Sequence, residues 1–364
     1  MRRLVRSGFV CALGALTACG GGTPSQTSSQ PPPPTAAPAA ATGPRVFVSD
    51  ETGGAVVVVD PVGRRMIQRI AVGKRPRGIH LSPDGKLIYV ALSGSPIGGP
   101  GMDESKLPPG DRTADGIGVV DVASSTLIRK YQSGQDPETF AVSDDGKMLY
   151  VSNEETSEMS ALDLASGTVT GRVKVGDEPE GVTIRPDGAM VYVACEGSNL
   201  VYVIDRAKLT EVARIETPAR PRAIVFTPDG KSGFISTENG GAVVAFDPAT
   251  SKPITTIRFA KDPSNPIPPR PMGLAVTPDG ANLFVSLGRF KAIAEISVAD
   301  RTISRTIADV GGRPWGIGFS ADGKTLYSAN GPSEDMSILD VASGTILGRV
   351  STGGSPWGVA ILNR

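Results

Sequence analysis

A short frame recurs along the chain and constrains what it can fold into more than any other feature. It first reads "KRPRGIHLSPDGKLIYV" over residues 74–90 and returns as "DPETFAVSDDGKMLY", "EPEGVTIRPDGAMVYV", "RPRAIVFTPDGKSGFI", "RPMGLAVTPDGANLFV" and "RPWGIGFSADGKTLY", with a last partial copy, "SPWGVAIL". The glycines of the Asp-Gly pairs are Gly85, Gly146, Gly188, Gly230, Gly280 and Gly323, separated by 61, 42, 42, 50 and 43 residues. A period near 42 with two enlarged units describes one supersecondary unit copied and stacked, since a unit of that size cannot bury its apolar face alone.

Within a unit, four short runs alternate with turn chemistry. Residues 180–215 hold "EGVTIR", "MVYVAC", "LVYVID" and "EVARI", separated by Gly, Pro, Asn and Asp. Runs of this length rich in Val, Ile and Tyr are strands joined as hairpins. Four antiparallel strands, A to D, per unit make the blade of a β-propeller. The A strands begin at Arg77, Glu138, Glu180, Arg222, Met272, Trp315 and Trp357, which counts seven blades. The expected fold class is therefore all-β, a seven-bladed β-propeller. Its opening "PRVFVSD" aligns with a B strand, so the C-terminal strand, 357–362, is expected to join this N-terminal blade and close the ring, removing exposed edges.

Two further rows read as structural. Gly78, Thr139, Gly181, Ala223, Gly273, Gly316 and Gly358 alternate with large residues along the A strands, where blades converge on the axis and room is short. Asp60, Asp121, Asp163, Asp205, Asp247 and Asp340 end the C strands at turns, where a short carboxylate accepts bonds from backbone NH groups.

The first residues, "MRRLVRSGFVCALGALTACGGG", join a basic start to an apolar run too short to span a bilayer, as in a secretory signal. Leu16-Thr17-Ala18-Cys19 resembles the bacterial lipobox. That resemblance implies a signal peptide over 1–18, lipidation of Cys19 and a membrane held through the lipid anchor, on the periplasmic side of the cell envelope; Gly20 after the Cys favours the outer membrane. An ordinary cut site and a soluble periplasmic protein is the alternative. Residues 19–43 are small, polar or Pro and are expected to be a disordered tether, ahead of a propeller over 44–364. Only Cys195 of the three cysteines then falls in the folded part, so no disulfide can form within it. Basic and acidic residues balance at 37 each, and loss of Arg2, Arg3 and Arg6 would leave the mature chain slightly acidic, without the footprint of a nucleic-acid binder.

The stretch "YVSNEETSEMSALDLASGTVTGRVKVGDEPEGVTIRPDG" resembles the YVTN family of seven-bladed β-propeller repeats, over 44–364. The order of the variants "RPRGI", "DPETF", "EPEGV", "RPRAI", "RPMG" and "PWG" is similar to that of the propellers associated with PQQ-dependent catabolism. That likeness implies a secreted propeller accompanying quinoprotein oxidation. The long insert and the lipobox depart from it and put a shared partner in doubt.

Loops entering A strands and loops from B to C share one end of a propeller. Both enlargements fall there: residues 93–116, between B and C, and 259–271, entering an A strand. Binding is commonly placed on loops carried by a rigid scaffold. At this mouth the residues after the repeat prolines are Arg77, Glu138, Glu180, Arg222, Met272, Trp315 and Trp357; those before them are Arg75, Asp136, Glu178, Arg220, Arg270, Arg313 and Ser355. The result is a charge-sorted ring, with acids on two adjacent blades flanked by arginines.

Three readings of the ring stay open: solvated ion pairs between blades, each worth about 0–1 kcal/mol; a docking surface anchored by the tryptophans and arginines; or a Ca²⁺ site of Asp136, Glu138, Glu178 and Glu180. Glu51, Glu154, Glu196 and Glu238 recur after the B strands and are expected to be rim charge. His80, alone of its kind, is expected to be buried and hydrogen-bonded, and Cys195 to be a packing residue. The leading expectation is a monomeric, non-catalytic propeller binding a periplasmic protein partner, with a quinoprotein dehydrogenase or a cytochrome among the candidates. No cofactor is expected, because the tryptophan-docking motifs and vicinal Cys pair of the eight-bladed quinoprotein enzymes do not occur here. The alternative is a small-ligand binder or lactonase-like hydrolase using the channel-mouth carboxylates.

Overall fold

The computed structural model describes residues 43–98, 106–261, 263 and 265–363. The chain divides into two units, Met1–Ala41 and Thr42–Arg364. The signal peptide, Cys19 and all but the last residue of the tether lie outside the described residues.

Among the described residues, 28 strands form seven antiparallel four-stranded sheets. In six of them the strands lie in chain order from axis to rim. The remaining sheet places Pro356–Leu362 inside Arg45–Asp50, followed by Ala55–Asp60 and Arg65–Ala71. The C-terminal strand therefore supplies the missing A strand of blade 1, with Val46 opposite Ile361 and Val48 opposite Val359. The strand begins one residue before the expected 357. Two A strands, Ile79–Leu81 and Leu274–Val276, are shorter than the frame implies. Their preceding residues keep ladder bonds, Arg77 NH to Ala91 O at 2.9 Å and Met272 NH to Ser286 O at 2.9 Å.

Aliphatic side chains fill the spaces between blades. Blades 4 and 5 enclose Val203, Ile224, Ile235 and Val244 beside Tyr192 and Phe246, whose rings lie 5.6 Å apart. Around the axis the A strands meet backbone to backbone. A Cβ on Gly78 would lie 2.8 Å from Glu138 O and one on Gly316 2.9 Å from Trp357 O, so the small-residue row is a packing requirement. The C-strand aspartates cap turns as expected: Asp60 accepts from Gly63 NH at 2.8 Å, Asp163 from Ser166 NH at 2.7 Å and Asp340 from Ser343 NH at 2.8 Å.

A second inter-blade device has no counterpart in the sequence reading. The third residue of the "YVSN"-type B strand is Ser in blades 1, 3, 5 and 6, and each hydroxyl donates to the carbonyl of a mouth residue on the next blade. Ser49 reaches Arg77 O at 2.6 Å, Ser152 Glu180 O at 2.8 Å, Ser236 Met272 O at 2.5 Å and Ser286 Trp315 O at 2.8 Å. These bonds hold the backbone of the mouth ring to its neighbours.

Candidate functional site

Each mouth side chain is aimed by the backbone around its repeat proline. Arg75, Asp136, Glu178, Arg220 and Arg313 all have positive φ, between 43° and 65°, a region that non-glycine residues seldom occupy and that concentrates at binding and catalytic sites. The repeat proline follows each of them, and the residue after that proline is the inner-ring residue.

The inner ring is buried. Arg77, Glu138, Glu180, Arg222 and Met272 expose 2–7% of their surface, which replaces the expected solvated pairs with an ion network out of water. Arg77 pairs with Asp136, with Glu138 at 2.9 Å and with Glu154 at 3.4 Å. Arg222 pairs with Glu180, with Glu196 at 3.2 Å and with Glu238 at 2.7 Å. Arg220 holds Glu196 at 2.8 Å, and Arg270 lies 3.7 Å from Glu238. Arg75 pairs with Glu51 at 3.0 Å.

Glu196 and Glu238, expected on the rim, are buried in this network. The signal that could have placed them is their recurrence directly after a B strand, where the chain turns back toward the mouth. Glu138 and Glu180, on the A strands, face arginines of blades 2 and 5 respectively. Asp136 and Glu138 therefore turn onto Arg77 while Glu180 turns onto Arg222, and among the described residues no group of three or more His, Cys, Asp or Glu side chains converges as metal ligands would.

More carboxyl groups than guanidiniums are buried here. Burial, and then the neighbouring Glu138 charge, hold Glu154 well above the usual carboxylate range. Burial raises Glu180 likewise, with Glu138 and Glu196 adding to it against the pull of Arg222. Glu196 and Glu238 stay below the usual range despite burial, chiefly because of Arg222. Glu138 thus acts on Glu154, and Glu196 on Glu180, as neighbouring carboxyl groups.

The aromatic half of the ring is more open. Trp315 and Trp357 lie 5.5 Å apart at 45°. The Arg313 guanidinium stacks over Trp315 at 4.1 Å and that of Arg222 at 5.2 Å.

Above the ring is a cavity of about 580 Å³. The insert supplies one wall, with Ser95, Pro96, Ile97, Leu107 and Pro108; Glu138, Glu154, Arg313 and the two tryptophans face it. The insert is fastened by its own polar contacts. Asp115, 1% exposed, accepts from Gly94 NH at 2.7 Å, and Arg112 reaches Ser95 Oγ at 2.9 Å and Glu155 at 2.7 Å.

Below the ring, a chamber of about 270 Å³ lined by Ile79, Val182, Leu274, Ile317 and Val359 shares Arg222, Trp315 and Trp357 with the mouth. His80 opens onto this chamber, so it is not buried as expected. Its ring meets Phe140 edge-on at 5.1 Å. Cys195 is fully buried and burial pushes its thiol up to about 12, as suits a packing residue.

The sheet count, the closing strand and the mouth geometry now stand together. The chain is a seven-bladed β-propeller. Residues 186–360 match the model of the YNCE-like beta-propeller, and residues 74–182 and 125–220 match that of the lactonase 7-bladed beta-propeller. A curated relative, antigen Lp49 of Leptospira interrogans, is 28% identical over 109 residues. The match covers 30% of this chain and only 23% of that protein's length.

Among solved structures, the periplasmic gluconolactonase of Pseudomonas aeruginosa superposes with a TM-score of 0.72 at 20% identity, covering 88% of this chain and 99% of that one. A putative 6-phosphogluconolactonase from Bacteroides uniformis gives 0.69 at 17%, with the same coverage. Kuenenia stuttgartiensis hydrazine synthase gives 0.65 at 23%, covering 78% and 89%. At these identities the likeness is one of fold.

Proposed function

We propose that this propeller binds a small polar molecule in its mouth cavity and hydrolyses a lactone-type ester there. The observation that carries the reading is the cavity of about 580 Å³ whose wall holds a reachable carboxyl, Glu154, that burial holds well above the usual carboxylate range. Glu154, 29% exposed at its side chain and paired with Glu138, can give a proton to a leaving ring oxygen. A deprotonated carboxylate of the same cluster takes the proton from the attacking water, and the buried guanidiniums of Arg77 and Arg222 favour charge developing on the carbonyl oxygen. The matches to a lactonase family model over the blades that carry these acids, and to lactonase structures, support it.

The docking reading rests on the same ring. With five of the seven inner-ring residues at most 7% exposed, a partner protein has only Trp315, Trp357 and the outer rim to grip.

The test is pH-stat titration with glucono-lactone and a panel of neutral and anionic lactones, the spontaneous rate being subtracted. Turnover above background, falling about 100-fold or more in Glu154→Gln as expected on loss of a general acid, is the predicted result. Wild-type inactivity across the panel would end the hydrolase reading.

A further inference from the structure

Six of the mouth arginines have carboxylates to answer them: Arg75 with Glu51, Arg77 with Glu138, Arg112 with Glu155, Arg220 with Glu196, and Arg222 and Arg270 with Glu238. Arg313 does not. Among the described residues no carboxylate lies within ion-pair distance of it, and its Nε is buried without a hydrogen-bond partner.

It is nonetheless held in place. Its backbone sits at φ 50°, its guanidinium carbon lies over the Trp315 ring at 4.1 Å, and Trp315 in turn leans on Trp357. A stacked guanidinium keeps its planar edge free to donate two parallel hydrogen bonds, the geometry that suits a carboxylate or a phosphate. Arg289, exposed on the 3-10 turn Gly288–Phe290 of the next loop, also lacks a carboxylate partner among the described residues. Burial draws Arg313 down to about 10, with Arg222 and Arg289 adding to it against the pull of the more distant Glu238.

We infer that Arg313, set on the Trp315–Trp357 platform, is the anion-recognition point of the mouth cavity, and that the natural ligand carries a carboxylate or phosphate group. The inference rests on the proposed small-ligand site but requires no hydrolysis there.

The chain has two tryptophans, and both are in this platform, so intrinsic emission reports the site without a label. The probes are glucitol, gluconate and glucitol 6-phosphate, which share a polyol body and differ in charge. Gluconate or glucitol 6-phosphate should shift the emission saturably at least 10-fold more tightly than glucitol; which of the two binds better separates carboxylate from phosphate. Arg313→Gln should erase that preference, and Arg313→Lys, which keeps charge without the planar fork, should restore part of it while showing that the site folds. Equal binding of the anions by wild type and Arg313→Gln, equal binding of glucitol and the anions, or no response to any probe would overturn the inference. Selective anion binding with no lactone turnover would leave it standing and remove the hydrolase reading alone.

Discussion

Burial holds the Glu180 carboxyl well above the usual carboxylate range, against the pull of the Arg222 guanidinium that touches it. Because its folded pKa lies above its unfolded value, about 4.3, the native state holds a proton that the unfolded chain releases. Its contribution to stability is therefore complete below that unfolded value and is lost as pH rises through the folded one. Glu154 acts in the same sense. Glu196, Glu238 and Asp136, depressed mainly by Arg222 or Arg77 against the cost of burial, act in the opposite sense, losing their contribution as pH falls through their folded pKa values. Glu180→Gln copies the protonated form. Urea unfolding should find it no less stable than wild type at pH 8, with the difference closing near pH 5. A loss of several kcal/mol at pH 8 would mean that Glu180 is ionised against Arg222. Arg222→Gln, by contrast, leaves three carboxyl groups without their shared cation and should cost about 3–5 kcal/mol.

At the level of strands, the A-strand glycines decide how closely blades approach. Gly181 has an ordinary φ, yet a Cβ there would run into the carbonyl of Arg222 on the next blade. Gly181→Ala should destabilise by about 1–3 kcal/mol through overpacking, read as a lower urea midpoint with an unchanged slope; an unchanged midpoint would show that the blades can part at no cost. The strands, turns and ring closure were legible in the sequence because turn chemistry and alternation are local: Asp84-Gly85 or Asp187-Gly188 announces a hairpin wherever it falls. The mouth was legible in part. The repeat register brought Arg77, Glu138, Glu180 and Arg222 to one ring, but burial depends on neighbours far along the chain. Arg77 and Glu138 are 61 residues apart, and the cover supplied by Pro96 and Leu107 comes from an insert with no repeat to align it. Sequence periodicity locates a side chain on a blade; whether water reaches it is settled by what the loops fold over.

At the level of the molecule, the ring is complete only because two distant segments pair. Each of the other six blades joins its A strand to its B strand through an Asp-Gly turn, such as Ser82–Leu87, where Gly85 NH donates to Ser82 O at 2.8 Å. Blade 1 has no such turn. Its A strand ends at Leu362 and its B strand begins at Arg45, and these two residues are register partners. In blade 1, then, two strands from opposite parts of the sequence meet where the other blades have a turn. A circular permutant that joins this gap with a Ser-Pro-Asp-Gly-Lys turn and opens the chain at the exposed Pro186–Gly188 turn of blade 4 would carry the same seven sheets in a new order of synthesis. It should refold with the same tryptophan emission at the mouth, since neither cut nor join lies at that end. Failure of such a permutant to close would mean that this turn must stay covalent for the ring to form, and that blade 4 cannot be the one completed last.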